Sequence, residues 1–277
     1  MMELPEAMVI AGQLDETVAG KRIKEAAAGT TPHKFAWYYG DPGAYGALLR
    51  GRLAERAAAY GGRGELSLEG GVALHMGEGA NLRYFAPGEP LPAKHQLLVT
   101  FDDGAALVGT VAMYGLFAAF PEGAMDDNFY YMAAKQAVPP LSAVFDYAYF
   151  QSLLDPKARK MSAKAFLATQ QRIPGLGNGV LQDILLCARI HPRRKMDTLT
   201  EERTRGLFDS MKSTLSAMTE AGGRDTERDL FGNPGNYRTK LCRNTAGLCP
   251  VCGDVVKKEA YLGGSVYYCE RCQPLNS

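Results

Sequence analysis

Four cysteines near the end of the chain constrain its folding most. Cys249 and Cys252 form one C-x-x-C pair, Cys269 and Cys272 a second, and residues 253–268 separate them. That interval is long enough for the chain to leave a metal ion, turn through a β-hairpin and come back. Four thiolates at this spacing match a structural tetrahedral zinc site, with disulfides as the alternative. A module this small cannot bury a core of its own, so bound Zn2+ would supply much of its folding energy. Zinc hairpins at the ends of soluble, non-secreted chains often touch nucleic acid. Cys187 and Cys242 lie outside the quartet. Cys187 falls in the apolar run Ile184-Leu185-Leu186-Cys187-Ala188 and is expected to be a buried small hydrophobe.

The chain has 277 residues and is 46% hydrophobic, enough for one or two ordinary cores beside the zinc module. Lys and Arg number 31 against 30 Asp and Glu, a net charge of +1. Such a balance excludes a uniformly basic nucleic-acid binder, and any such role must rest on local patches. No charged segment followed by an apolar run opens the chain, and no stretch is apolar enough to span a bilayer. The expectation is a cytoplasmic monomer, nucleoid-associated in a bacterium, with no membrane partner and with its cysteines in a reducing compartment.

The elements read as α+β. A helix is expected over residues 4–19, with Pro5 in its first turn and Glu6 near the positive end of its dipole. Met8, Val9, Ile10, Leu14 and Val18 supply its apolar stripe, and Gly20 ends it. Residues 22–120 are strand-like, with a hairpin turn at Asp102-Asp103-Gly104 and a helical interruption over 45–60. Residues 122–140 read as a connection. A helical period follows, with helices expected over 163–172, 179–188 and 199–221, then loops over 222–245.

Two stretches carry chemistry. In Pro174-Gly175-Leu176-Gly177-Asn178 the glycines permit close backbone approach, and the start of the next helix offers N–H groups to an anion. A tight helix–helix turn capped by Asn178 is the plainer alternative. Ile190-His191-Pro192-Arg193-Arg194-Lys195 sets three cations after a helix end, where they suit the dipole or simply a solvated loop.

Several segments resemble, in order, the formamidopyrimidine-DNA glycosylase/endonuclease VIII family. They are Met2-Glu3-Leu4-Pro5-Glu6, His75-Met76-Gly77, Asn81-Leu82-Arg83, Lys94-His95 and Phe101-Asp102-Asp103-Gly104. Gly175-Leu176-Gly177-Asn178 with Ile190-His191-Pro192 follows, then Tyr267-Tyr268-Cys269-Glu270-Arg271-Cys272-Gln273. Their joint order spans nearly the whole chain. The resemblance implies an N-terminal β-sandwich catalytic domain (1–125) with flanking helices, a helix-two-turn-helix DNA-binding domain (140–225) and a zinc finger (240–277). It also implies base-excision repair by a DNA glycosylase and abasic-site lyase that extrudes a damaged base.

In that chemistry an N-terminal α-amine, with a pKa of about 8, forms a Schiff base at the sugar C1′. By resemblance the Met2 amine is the nucleophile, Glu3 the acid/base residue and Glu6 a supporting carboxylate; first-turn dipole complementation is the bland alternative for both glutamates. Asn178 would hold phosphate near the lesion, Lys94 and His95 would position the backbone, and Met113 or Tyr114 would stack in the gap. Arg224 and Arg228 would reach a flipped base or its phosphate, unless they belong to a surface ladder of weak Arg/Asp pairs.

The chain departs from the family at four places. Met2 stands for the family's proline, and its bulk disfavours removal of Met1; a retained Met1 would leave the amine one residue too far from Glu3, whereas its removal would put the Met2 primary amine where the proline amine belongs. No lysine lies between Lys34 and Lys94, where the family has a strand lysine; Tyr60-Gly61-Gly62-Arg63-Gly64-Glu65 stands there, and Arg63 is no amine nucleophile. The gap-filling Met, Arg and Phe correspond to Glu78, Ala112 and Tyr114. The finger's phosphate-binding arginine corresponds to Gly264, leaving Arg271, Lys257 and Lys258. These losses weaken duplex distortion more than lesion docking, so single-stranded or already distorted DNA is the expected substrate. A catalytically degenerate binder of damaged or abasic DNA is the second reading, and a zinc-ribbon protein of RNA metabolism the third.

Overall fold

The computed structural model describes residues 2–77, 79–243 and 247–275; Met1 and Glu78 lie outside them. Helix α1 (Leu4–Val18) starts at the Pro5 turn and buries Ala7, Ile10, Ala11, Leu14 and Val18 along one face. Met8 is exposed and Val9 only half-buried, so the buried stripe is offset from the expected one. The strands follow as β1 (Ile23–Ala28), β2 (Ala36–Tyr38), β3 (Ala54–Tyr60), β4 (Arg63–Leu68) and β5 (Val72–Met76). Four more complete the domain: β6 (Ala80–Phe85), β7 (Leu97–Phe101), β8 (Ala106–Val111) and β9 (Gly115–Pro121).

They form a four-stranded sheet, β1-β7-β8-β6, and a five-stranded sheet, β2-β9-β5-β4-β3. Every pairing is antiparallel except that of β2 with β9. Leu66, Leu74, Met76 and Phe117 of one sheet share a core with Leu82, Leu97, Val99 and Leu107 of the other, and α1 packs into the same cluster. Each such side chain contributes about 1.5–3 kcal/mol on burial, which makes this sandwich the main source of stability in the N-terminal half.

The expected helix over 45–60 is corrected. Only α2 (Tyr45–Leu49) is helical; Gly51 turns the chain at φ +78°, and residues 54–60 are β3. Ala57 and Ala59 favour helix, but pairing with β4 and packing on the sandwich core override that weak preference. Residues 122–140 are likewise more than a connection. They hold α3 (Phe129–Gln136), capped by the Asn128 side chain, which accepts from the Tyr131 N–H.

Tyr131 and Lys135, one helical turn apart, tie α3 to the sheet. The Lys135 ammonium donates to the Tyr131 hydroxyl at 2.6 Å and to Glu65 Oε1 at 3.3 Å, while His75 Nδ1 lies 3.2 Å from Glu65 Oε2. His75 is fully buried and its Nε2 has no hydrogen-bond partner among the described residues. Burial holds its pKa below the ordinary 6.5, against the pull of Glu65. Glu65 itself is held low by His75 and Lys135, against the cost of burial. Both shifts have the same sign for stability: what they contribute is present above the unfolded-state pKa and is lost on acidification. The melting temperature should therefore fall as pH drops below about 6.5, and His75→Gln should flatten the upper part of that slope. An unchanged slope in the variant would assign the acid sensitivity elsewhere.

The helical half comprises α4 (Tyr147–Ser152), α5 (Pro156–Arg159), α6 (Ala163–Ala168), α7 (Asn178–Cys187) and α8 (Glu201–Glu220). Phe150, Phe166, Leu181, Leu185, Leu207, Met211 and Leu215 form its core, which Leu4 of α1 joins. Helix α6 stops earlier than expected because Gln170 and Gln171 adopt left-handed conformations, φ 60° and 52°. Thr200 caps α8 by accepting from the Arg203 N–H. Cys187, expected to be buried, is exposed, because α7 presents its last turn's other face to the core. No helix among the described residues is long and apolar enough to cross a membrane.

The C-terminal hairpin, β10 (Lys257–Tyr261) and β11 (Gly264–Tyr268), docks on the end of α7. Leu186 and Leu241 pack with Cys249 and Cys269. Gln273 donates to the Ile190 carbonyl at 2.9 Å, and His191 meets the Tyr268 ring at 4.3 Å. Arg193, though exposed, pairs with Glu259 at 2.6 Å and lies 4.0 Å over the Tyr261 ring. Arg194 donates to the Leu275 carbonyl at 3.1 Å. These side chains fasten the hairpin to the helical domain.

Candidate active site

The turn between α6 and α7 meets the start of α1. The Leu4 N–H donates to the Gly175 carbonyl at 2.9 Å, which draws Glu3 across the N-terminus of α7. There the Gly179 N–H donates to Glu3 Oε1 at 2.9 Å and the Val180 N–H to Oε2 at 2.8 Å. The anion site expected at this helix start thus exists, but Glu3 occupies it: the N–H groups that would have faced phosphate hold a carboxylate. The glycines are required sterically. A Cβ on Gly177 would stand 2.5 Å from Glu3 Oε1, and one on Gly179 would stand 1.5 Å from the Arg224 guanidinium.

Arg224 is turned inward, not toward solvent. It is 2% exposed, and it forks Glu6 through Nε at 2.9 Å and Nη2 at 2.7 Å; its Nη1 lies 3.6 Å from Glu3 Oε2. Its own N–H also donates to Glu6 Oε1 at 3.2 Å, and Glu6 Oε2 accepts from the Glu3 N–H at 3.1 Å. So buried an arginine cannot extend to a flipped base, and the reach expected of Arg224 is corrected to a clamp on two carboxylates. One guanidinium faces two acids, and the acids do not fare equally. Burial pushes the Glu3 carboxyl above its ordinary range; Arg224 opposes that, Glu6 adds to it, and the two N–H donors oppose it.

Glu3 borders a cleft of about 200 Å³ whose walls include Met2, Tyr114, Lys164, Asn178 and Leu262. The Met2 side chain is buried in the sandwich core, so its backbone is anchored beside Glu3. The β3–β4 turn supplies another wall. Gly61 and Gly62 carry no side chain where the strand lysine was expected, and a Cβ on Gly61 would stand 2.8 Å from Pro174. The bare turn therefore closes directly on the helical domain. Arg63, next in sequence, is buried.

Lys164 was not singled out from the sequence. It is the charged residue in the otherwise apolar helix Ala163–Ala168, which was the available signal. Its ammonium donates to the Tyr261 carbonyl of the hairpin, and burial lowers its pKa. Asn178 also faces the hairpin. A Cβ on Gly264 would stand 2.2 Å from Asn178 Nδ2, so Asn178 takes the space that an arginine stem would need.

Other expected site residues lie apart. Met113 is 70% exposed beside Tyr114. Lys94 is exposed and His95 half-buried on the β6–β7 connection, where His95 Nδ1 lies 3.1 Å from the Pro92 carbonyl. Arg228 is exposed and donates to the Gly232 carbonyl at 2.9 Å.

Cys249, Cys252, Cys269 and Cys272 bring their four Sγ atoms within 4.8 Å of one another. Cys249 and Cys272 are 3.8 Å apart, Cys252 and Cys269 3.5 Å. A disulfide needs about 2 Å. Sulfurs bound tetrahedrally to zinc at about 2.3 Å stand about 3.8 Å apart, so this donor set fits zinc and not disulfides.

Residues 137–229 match the formamidopyrimidine-DNA glycosylase H2TH domain. A formamidopyrimidine-DNA glycosylase of Symbiobacterium thermophilum is 30% identical over 286 residues, covering 99% of this chain and 90% of that protein. One from Paraburkholderia phymatum is 29% identical over 285 residues, covering 99% and 100%. The crystal structure of MutM (Fpg) from Thermus thermophilus shares the fold with a TM-score of 0.81 at 24% identity, over 99% of this chain and 100% of that one. The Lactococcus lactis Fpg, solved in complex with abasic-site DNA, has a TM-score of 0.82 at 22% identity over 98% and 99%. A β-sandwich, a helical domain entered through a glycine turn and a four-cysteine hairpin define the architecture of a base-excision repair glycosylase. The chain belongs to the formamidopyrimidine-DNA glycosylase family.

Proposed function

We propose that this chain, once Met1 is removed, excises damaged bases and cleaves abasic sites in DNA, with the Met2 α-amine then exposed as nucleophile and Glu3 as acid and base. The observation that carries the reading is the Glu3 carboxylate, fixed by two N–H groups of α7 at the wall of the cleft that Met2 also lines. A neutral amine adds to the sugar C1′; the N–C1′ bond forms as the bond to the base breaks, and the base leaves with a proton. Glu3 gives its proton to O4′ as the ring opens to the imine. The Glu3 carboxylate left by that transfer takes a C2′ proton, and the resulting elimination expels the 3′ phosphate and cuts the strand. A carboxyl held above its ordinary range suits both directions of proton transfer at neutral pH. Glu6 keeps Arg224 in place, and Arg224 opposes the upward push of burial on the Glu3 carboxyl.

Asn178 at the start of α7, with the exposed Lys94, His95 and Arg228, serves the DNA backbone in this reading, and Met113 and Tyr114 serve the gap. Because the gap-filling arginine is absent and Ala112 is exposed, cleavage at a lesion in single-stranded DNA should outpace cleavage in a paired duplex. Equal rates would remove that preference. Tight binding of abasic DNA without any cleavage would instead make the chain a non-cutting reader of damage.

The four thiolates hold Zn2+ as a structural ion in this reading, since its donor set and spacing suit the ion. Chelation should release one zinc per chain, unfold the hairpin and weaken DNA binding, while the sandwich melts as before. Cys249→Ser should do the same. Full DNA affinity in the stripped protein would show that the finger makes no contact with DNA.

A further inference from the structure

Residues 33–38 read His-Lys-Phe-Ala-Trp-Tyr. In the short edge strand β2, Ala36 and Tyr38 turn toward the sandwich core and Trp37 turns out, and Phe35 just before the strand is exposed as well. Trp37 is 51% exposed and Phe35 45%. Two large rings side by side in water are unusual unless something covers them. They are held rigidly, since β2 is zipped in parallel to β9 with Trp37 opposite Leu116, and the Gly115 N–H donates to the Phe35 carbonyl at 3.0 Å. That pairing brings Tyr114 to Trp37, ring centroids 5.9 Å apart at an interplanar angle of 42°. Tyr114 is also a wall of the cleft that holds Glu3, so the aromatic surface runs continuously out of the candidate active site. The Lys34 ammonium stands 5.2 Å over the Phe35 ring and adds positive charge at its outer edge.

We propose that Trp37 and Tyr114, with Phe35 beside them, form a stacking shelf for unpaired nucleobases of the strand that enters the cleft. The inference rests on the DNA reading above and deepens it by naming what takes up bases that have lost their partners. Aromatic faces take any base, because every base presents a π-face, and a neighbouring cation serves the phosphate. A shelf of this kind suits single-stranded or opened DNA, whose bases are free to stack, and offers little to a closed duplex.

Trp37 is the only tryptophan in the chain, so its emission reports on the shelf directly. Titration with a single-stranded oligonucleotide carrying a tetrahydrofuran abasic analogue should quench it, and the same lesion in a closed duplex should quench it less. Trp37→Ala should raise the Kd for the single strand by about 5- to 150-fold, and Trp37→Tyr should recover most of the loss. Unchanged emission at saturation, judged by anisotropy of labelled DNA, would overturn the shelf, as would wild-type affinity in Trp37→Ala. An emission change that tracks protein concentration without DNA would assign the rings to self-association and also overturn it. The two readings fail separately: a covalent adduct with silent Trp37 removes the shelf alone, and quenching without any adduct leaves the shelf on a non-cutting reader.

Discussion

Glu3→Gln is expected to lower turnover at an abasic site by about 10²–10⁴-fold, the usual worth of a positioned acid/base group, while DNA affinity stays nearly intact. The amide is isosteric and still accepts from one of the two α7 N–H groups, so the N-terminus of α1 stays docked on Gly175. What is lost is the transferable proton. The wild-type pH profile should carry a matching signature. Because burial raises the Glu3 carboxyl, its proton-donating form persists above the ordinary carboxylate range, and activity should fall as pH rises through that raised pKa. Unchanged cleavage by the variant would refute the role of Glu3.

Arg224→Met should cost about 3–5 kcal/mol of stability, because it strands Glu6 and Glu3 in the interior without their cation. In a chain of this size that corresponds to a drop in melting temperature on the order of 10 °C. Adding Glu6→Gln should restore part of the loss, since the second substitution removes the stranded charge. The single variant should also move the alkaline limb of the activity profile to higher pH, because Arg224 holds the Glu3 carboxyl down. A destabilisation below about 1 kcal/mol would place the pair among weakly coupled surface contacts and contradict the buried clamp.

Much of the architecture was legible because its signals are local. The C-x-x-C pairs, the Pro5 and Gly20 limits of α1 and the Asp102-Asp103-Gly104 turn each depend on a few adjacent residues. The misreadings share a cause. Residues 54–60 are alanine-rich and locally helical, and only pairing with β4 makes them a strand. α3 hides among prolines and glycines because its anchor, Glu65, lies far away in sequence. In the site, Glu3 and the glycine turn were each visible, but their meeting was not: a helix start reads as an anion site whether phosphate or the chain's own carboxylate fills it. Arg224 looked like a loop cation because its burial depends on Glu6, 218 positions earlier. Trp37 lies on β2 and Tyr114 just ahead of β9, and only the parallel β2–β9 register joins them.

The central claim is that an α-amine beside Glu3 still performs imine chemistry without the family's proline. Borohydride trapping with abasic DNA, single-stranded and duplex, tests it most directly, with the adduct mapped by mass spectrometry. The account predicts a covalent adduct at the Met2 amine, present in Lys164→Arg, lost when the N-terminal amine is blocked, and formed more readily on the single strand. No adduct, alongside tight and salt-sensitive binding, would contradict it and leave a lesion reader with the shape of the enzyme and no nucleophile.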